Sequence, residues 1–305
     1  AEQDRISRNL AMAHYHRVNC HNIQIGPTRH GVQIGMKNHV KVSIAQLNST
    51  SDEASNVRRA IDMIREAANK GADLVALPEL FHCLADFEQV LAASQPIPGP
   101  LTDQLAALAR ELKITLCAGS IAEACEDPNR VFNTSLILDA RGEIIATYRK
   151  MHLFEVDLPD RITLCEADYM TAGDNLSVVS TDVGVIGQAI CYDLRFPRLH
   201  RQLTIDGAEM IIIPSAFTMP TGRDHWKVLA QARAIENQVY LIAPNQVGKH
   251  NVQLESYGHS LVIDPWGNIL AEASETSEEL ILADLDAEKL TATRARIPVL
   301  KNRRL

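Results

Sequence analysis

Three residue types that together support acyl transfer follow apolar segments of this chain. Cys191 follows an apolar run and precedes a predicted helix that begins near Pro197, while Glu79 and Lys150 follow two further apolar runs. In open α/β sheets ligands bind outside the carboxyl ends of the strands. A thiol, a carboxylate and an ammonium at three such ends are a candidate nucleophile, general base and oxyanion-stabilising cation.

Each of these residues has a second interpretation when it is taken alone. A single cysteine after an apolar run is more often a buried and inert core residue. Glu and Lys usually lie in solvated loops. The combination favours a reactive site, and there we expect the ammonium of Lys150 to increase the thiolate fraction of Cys191, whereas Glu79 has the opposite effect.

The segments around these residues resemble those of the nitrilase superfamily of carbon–nitrogen hydrolases. The order L-P-E-L-F, Y-R-K-M-H-L-F and C-Y-D-L-R-F-P is similar to the family's Glu-Lys-Cys triad, here Glu79, Lys150 and Cys191, and Glu166 lies where the family has a second glutamate. The resemblance runs from about Val40 to the C-terminus. It implies an α/β fold, a four-layer α-β-β-α sandwich with mixed sheets, and a homodimer or higher homo-oligomer formed by helix packing.

The resemblance also implies a cysteine-dependent amidase that needs no cofactor. In this hypothesis Glu79 accepts the proton of Cys191, and the thiolate attacks a small non-peptide amide. Lys150 and the backbone N–H of Tyr192 stabilise the oxyanion, ammonia leaves, and water hydrolyses the thioester to a carboxylic acid. Glu166 would hold Lys150 in place or help to position the substrate; its alternative is an ordinary surface glutamate.

The segment after the nucleophile bears on the substrate. Nitrilases usually have Trp-Glu after the cysteine, so Tyr192-Asp193 favours amides over nitriles. The motifs resemble the Nit branch, closer to deaminated glutathione amidases than to omega-amidases. Arg198 and the pair Arg223-Asp224 depart from that branch and leave the substrate open. The alternatives are an N-carbamoyl-amide hydrolase, a nitrilase, or a non-catalytic interaction protein with the same fold.

Four residues are candidates for substrate binding. The planar guanidinium of Arg195 suits bidentate binding of a substrate carboxylate, and the alternative is a structural ion pair with Asp193 or another acid. Phe217 and Thr218 are predicted pocket walls, and Tyr192 adjoins the nucleophile.

Composition excludes several other classes of protein. A net charge of −8 over 305 residues argues against a nucleic-acid or anionic-membrane partner, because both require clustered Lys and Arg. No apolar run approaches the roughly 20 residues that span a bilayer. Six scattered cysteines without a signal-peptide pattern predict free thiols in the cytoplasm. The cluster His14, His16, Cys20 and His21 fits no closed zinc pattern, so no metal site is predicted.

The elements that must position these residues begin near residue 38. Residues 1–37 show no sustained helical or strand periodicity and are predicted to be an N-terminal extension. Residues 38–305 are predicted to form the hydrolase-like domain. Strands are predicted at 40–45, 73–77, 114–118, 131–138, 143–148, 183–190, 210–213, 260–263 and 280–283, and helices at 54–70, 101–112, 198–206 and 224–237.

Overall fold

The structure, a computed structural model, describes residues 35–158 and 162–304. The histidine and cysteine cluster at 14–21 lies outside these ranges, as does nearly all of the predicted extension. Met36 is buried in the core, and its backbone N–H donates to Glu209 at 3.0 Å. Lys37 forms an ion pair with Asp73 at 2.7 Å. These contacts attach residues 36 and 37 to the domain, and the domain boundary at 37/38 stays a prediction.

Two six-stranded mixed sheets dominate the described part of the chain, in the orders β16-β1-β2-β3-β4-β5 and β15-β14-β11-β10-β9-β8. The strands are β1 (His39–Gln46), β2 (Leu74–Ala76), β3 (Thr115–Ala124), β4 (Val131–Leu138), β5 (Ile144–Arg149), β6 (Glu155–Leu158), β7 (Ile162–Cys165), β8 (Val178–Thr181), β9 (Gly184–Gln188), β10 (Met210–Ile212), β11 (Tyr240–Ala243), β12 (Val247–Lys249), β13 (Glu255–Tyr257), β14 (Leu261–Ile263), β15 (Ile269–Glu272) and β16 (Glu279–Asp286).

Helices cover the outer face of each sheet. The helical segments are Glu53–Asn69, Phe87–Ala92, Pro100–Leu112, Pro197–Ile205, Met219–Thr221, Lys227–Asn237, Ala287–Arg296 and Val299–Asn302, with short 3₁₀ turns at Glu166–Asp168 and Cys191–Arg195 and a π-helical turn at Gly222–Trp226. None of the helices in the described ranges has both the length and the apolar character that crossing a membrane requires.

Alternation along the strands explains the four layers. Leu74 and Ala76 of β2 pack into a cluster with side chains of the other sheet, among them Ile212 of β10. Val75, the residue between them, packs in a different cluster with side chains of helices Glu53–Asn69 and Pro100–Leu112. Successive side chains of a strand point to opposite faces, so each apolar strand joins the other sheet on one side and a helix layer on the other.

The parallel strands place the candidate site at one end of both sheets. β1, β2 and β3 are parallel neighbours in one sheet, and β9, β10 and β11 are parallel neighbours in the other. Glu79 follows β2, Lys150 follows β5 and Cys191 follows β9. The two sheets therefore each contribute to a site at the carboxyl ends of their strands, as the sequence predicts.

Several elements differ from the sequence prediction. The elements that are not predicted are the strands β6, β7, β8, β11, β12, β13 and β15 and the helices Phe87–Ala92, Met219–Thr221, Ala287–Arg296 and Val299–Asn302. Helix Ala287–Arg296 buries only Leu290 and Thr293, so its apolar period is weak. β11 is a four-residue apolar run directly after a helix, which periodicity cannot separate from that helix.

Buried histidines make the fold sensitive to acid. Burial lowers the pKa of His82, His200 and His250 to about 4 in each case. An unfolded histidine titrates near 6.5, so the unfolded chain binds more protons than the folded chain between about pH 6.5 and pH 4. Stability therefore falls as the pH falls through this range.

We predict that His82→Gln reduces this acid sensitivity. Between pH 7 and pH 5 the wild type loses about 2 kcal/mol of unfolding free energy through this one buried side chain, and the variant does not. Guanidinium unfolding at both pH values measures the difference. His39→Gln, at an exposed position, serves as the control and should keep the wild-type difference. Equal pH dependence in all three proteins would contradict the assignment to His82.

Candidate active site

A buried ammonium lies at the centre of the site. Lys150 is 1% exposed, and its Nζ lies 2.9 Å from Glu79 Oε1 and 2.9 Å from the carboxylate of Glu166. Burial by itself lowers the pKa of Lys150, but the charges of Glu166 and Glu79 outweigh it and hold that pKa well above its ordinary value. Lys150 is therefore a fixed cation.

Glu79 is held by three hydrogen bonds in the turn after β2. Its Oε1 accepts from Asn133 Nδ2 at 2.8 Å as well as from Lys150, and its Oε2 accepts from the backbone N–H of Ala216 at 2.8 Å. The side chain is 3% exposed. Both oxygens of Glu79 therefore act as hydrogen-bond acceptors.

Glu166 is buried beside Lys150 and is not on the surface. It begins the turn Glu166–Asp168 after β7 and is 8% exposed, and its Oε2 accepts from the backbone N–H of Phe154 at 2.6 Å. Burial raises the pKa of Glu166, opposed by the charge of Lys150. The structure therefore brings Glu166 to the predicted place, in contact with the lysine.

Cys191 occupies a sharp turn between β9 and the helix Pro197–Ile205. Its φ is +45°, a left-handed conformation that is uncommon for residues other than glycine, and its N–H donates to Pro214 O at 2.9 Å. Backbone strain of this kind persists where surrounding contacts enforce it and is concentrated at functional sites. The side chain is 7% exposed.

The thiolate form of Cys191 is not favoured at rest. Burial and the charge of Glu79 raise the pKa of Cys191 well above its ordinary value and outweigh the opposing effects of Lys150 and the Ala216 N–H. The opposite effects expected of Lys150 and Glu79 are both present, and the net direction is decided by the cost of removing a thiolate from water, which the sequence alone does not give. The resting group is a thiol, so its reaction requires a base.

Asp193 braces the turn that carries Cys191. Its buried carboxylate accepts from the backbone N–H of Ile190 at 2.9 Å, from Tyr148 Oη at 2.7 Å and from the backbone N–H of His152 at 3.1 Å, and His152 Nδ1 lies 2.6 Å away. The alternative ion pair between Asp193 and Arg195 is therefore absent, because His152, Tyr148 and Ile190 occupy the acceptor positions.

A cavity of about 80 Å³ is lined by six of the candidate residues, and Lys150 and Arg195 are not among its lining residues. Glu79, Glu166 and Cys191 line it, together with the predicted wall residues Tyr192, Phe217 and Thr218. Its other walls are mainly apolar and include Leu80, Leu84, Phe87, Phe154 and Leu254. Apolar walls with a few convergent polar groups are the usual composition of a small-molecule site.

Arg195 lies beside the aromatic wall of this cavity. Its guanidinium carbon is 5.1 Å from the centroid of the Phe217 ring and 5.8 Å from that of Tyr192, and Nη1 lies 3.3 Å from His225 Nδ1. Within residues 35–158 and 162–304 it forms no salt bridge. Trp226 is buried with its ring centroid 4.9 Å from that of Phe217, so it supports the wall from behind.

Two contacts in the site were not found by sequence reasoning. The amide of Asn133 and the backbone N–H of Ala216 both donate to Glu79. Asn133 is 0% exposed in β4, and the only signal in the sequence was an amide side chain within a predicted strand. In the described residues, no group of His, Cys, Asp and Glu is arranged to hold a metal ion.

Comparison with known proteins gives consistent matches. A model of the carbon-nitrogen hydrolase family matches residues 41–295. Human deaminated glutathione amidase is 41% identical over 268 residues, which cover 86% of this chain and 82% of that protein. Human omega-amidase NIT2 is 37% identical over 264 residues, covering 87% of this chain and 95% of that protein.

A solved structure confirms the predicted fold. Nit3 of Saccharomyces cerevisiae, a member of branch 10 of the nitrilase superfamily, superimposes with a TM-score of 0.80 at 35% identity. The match covers 88% of this chain and 98% of that chain. The resemblance noted from the sequence motifs is thereby confirmed for both the superfamily and the sandwich architecture.

We predict that Lys150→Met lowers the unfolding free energy by about 3 to 5 kcal/mol, because two buried carboxylates then face each other without a cation. Glu79→Gln lowers the unfolding free energy by less, since Lys150 keeps its ion pair with Glu166. Urea unfolding at pH 7 measures both. The control is Lys70→Met, which breaks an exposed ion pair with Glu66 and should cost less than about 1 kcal/mol. A Lys150→Met protein as stable as wild type would contradict this charge arrangement.

Proposed function

Since the chain belongs to the carbon-nitrogen hydrolase family, we propose that it is a cysteine-dependent amidase that converts a small non-peptide amide to a carboxylic acid and ammonia. Its named relatives are amidases, and it is accordingly a hydrolase of carbon–nitrogen bonds other than peptide bonds. The observation that carries the proposed chemistry is the cluster in which Glu79 and Lys150 are 2.9 Å apart and Glu79 and Cys191 line one cavity.

The first step forms the acyl–enzyme bond. Glu79 accepts the proton of the Cys191 thiol while Sγ attacks the carbonyl carbon of the amide, giving a tetrahedral oxyanion. The raised pKa of Cys191 fits this order of events, because the proton leaves only as the new bond forms. A free thiolate is not required in the resting enzyme.

Lys150 supplies the electrostatic stabilisation. Its ammonium is buried and fixed by two carboxylates, so it needs no reorganisation when negative charge develops on the substrate oxygen. The backbone N–H of Tyr192 is the proposed second donor. Glu79 then protonates the departing nitrogen, the carbon–nitrogen bond breaks, and ammonia leaves a thioester on Cys191.

Water completes the reaction at the same carboxylate. Glu79 removes a proton from water, the hydroxide attacks the thioester carbonyl, and the carbon–sulfur bond breaks as the thiol regains its proton. The sum is one amide and one water converted to one carboxylic acid and one ammonia. Glu166 does not exchange a proton in this scheme and acts by holding Lys150.

We propose a substrate that carries a carboxylate in addition to the amide. Arg195 adjoins the cavity wall with no acidic partner in the described ranges, and a planar guanidinium suits bidentate carboxylate binding. The similarity to enzymes named deaminated glutathione amidase and omega-amidase supports this class. Tyr192, Phe217 and Thr218 are the proposed contacts for the rest of the molecule.

The oligomeric state and location are further proposals. On the helix Lys227–Asn237 the side chains of Val228 and Ile235 are 67% and 50% exposed, and Trp266 is 48% exposed. Apolar side chains exposed along one helix support the expected homodimer formed by helix packing. Five free cysteines in the described part of the chain support a reducing, cytoplasmic setting.

The test of this function is ammonia release over a panel of omega-amides, deaminated glutathione, N-carbamoyl amino acids and simple nitriles. We expect turnover of the first two classes. Cys191→Ala should abolish it, and Glu79→Gln should lose at least about a hundredfold in kcat. Mass spectrometry should find the acyl adduct on Cys191 alone. Turnover by Cys191→Ala, or activity on nitriles or carbamoyl compounds only, would overturn the proposal.

We predict that Arg195→Leu raises KM at least about tenfold for an omega-amide with a free carboxylate and leaves KM for neutral butyramide unchanged, because only the first loses an ion pair. Steady-state kinetics with both substrates measures the split. Arg58→Leu, at an exposed position on the helix Glu53–Asn69 and outside the cavity lining, is the control and should alter neither value. An equal rise for both substrates would argue for a structural role of Arg195.

A further inference from the structure

We propose that Asn133 is a positioning residue that decides which oxygen of Glu79 takes the proton of Cys191. This inference rests on the proposed function, because it concerns the base of that reaction. Asn133 is 0% exposed and contacts the carboxylate of Glu79 through its side-chain amide.

The pairing of β4 with β5 places Asn133 opposite Lys150. Thr134 pairs with Arg149 at the end of the ladder, and the backbone N–H of Lys150 donates to Asn133 O at 2.8 Å. Residues directly opposite in antiparallel strands project to the same face of the sheet. The Asn133 amide and the Lys150 ammonium consequently reach one carboxylate, that of Glu79, from the same side.

The hydrogen bonds leave one acceptor position of Glu79 free. An ionised carboxylate offers about four lone-pair positions, two on each oxygen. Lys150 Nζ and Asn133 Nδ2 take both positions on Oε1 at 2.9 Å and 2.8 Å, and the Ala216 N–H takes one on Oε2 at 2.8 Å. The remaining position is on Oε2, so the thiol proton of Cys191 goes there.

Asn133 also supplies one of the two donors on Oε1 of Glu79. A hydrogen bond donated to a carboxylate stabilises its ionised state relative to its protonated state. Without that donor, Oε1 has a vacant position that can hold a proton next to Lys150, on the oxygen that does not serve Cys191. Loss of Asn133 is therefore expected to slow proton transfer and to require a higher pH for the active form.

The matched pair Asn133→Leu and Asn237→Leu tests this inference. Asn237 is also a 0% exposed asparagine whose amide donates to protein groups, Arg233 O and Glu236, away from the candidate site. For Asn133→Leu we expect kcat lower by at least about tenfold, KM within about threefold of wild type, and the acidic limb of kcat/KM moved up by about one pH unit. Asn237→Leu should lose thermal stability and leave the acidic limb unmoved.

A second readout does not depend on the substrate. The rate at which iodoacetamide alkylates Cys191, followed by mass spectrometry of its peptide across pH, should show the same upward movement in Asn133→Leu. The isosteric Asn133→Asp gives a second variant in case the leucine protein does not fold. Two adjacent carboxylates resist ionising together, so its acidic limb should move further up than that of the leucine variant.

The outcomes separate the inference from the proposed function. A wild type that hydrolyses no amide of the panel and forms no acyl adduct on Cys191 overturns the proposed function. An active wild type in which both Asn133 variants keep the acidic limb of wild type, in turnover and in alkylation, overturns the inference alone. Movement of the limb in Asn133 variants and not in Asn237→Leu supports it.

Discussion

The ammonium of Lys150, buried between the carboxylates of Glu79 and Glu166, is the interaction on which the rest of the site depends. Removing three charged groups from water costs several kcal/mol for each, and only close contacts and further hydrogen bonds offset that cost. The structure supplies them through the amide of Asn133 and the backbone N–H groups of Ala216 and Phe154. The same contacts that offset the desolvation orient the groups for chemistry.

The cluster joins the two sheets of the sandwich. Glu79 and Lys150 follow strands of one sheet, whereas Cys191 and Ala216 follow strands of the other. The distance between base and nucleophile is therefore set by how the sheets pack face to face, which depends on core side chains such as Ile44. Cores are close-packed and resist small displacements, so the packing of the whole domain holds this geometry.

The strained turn at Cys191 depends on a second buried charge. The carboxylate of Asp193 accepts a hydrogen bond from the Ile190 N–H and also contacts Tyr148 and His152. Tyr148 and His152 lie two residues before and two residues after Lys150. One carboxylate thus connects the nucleophile turn to the segment that carries Lys150. We infer that this connection keeps the positive φ of Cys191 in place, because such conformations persist only where neighbouring contacts enforce them.

The sequence by itself determined the family, the alternation of strands and helices, and the placement of Glu79, Lys150 and Cys191 at strand ends, since these depend on local pattern and motif order. Tertiary structure decided that the pKa of Cys191 is raised, which groups contact Asp193, and that the amide of Asn133 donates to Glu79. Electrostatic balance in a buried site depends on desolvation and on every neighbouring charge. Asn133 lies opposite Lys150 because a β-bulge in β5, beside Ile137 of β4, shifts the register of the two strands by one residue. Without that shift Asn133 would lie opposite Arg149, whose side chain projects to the other face.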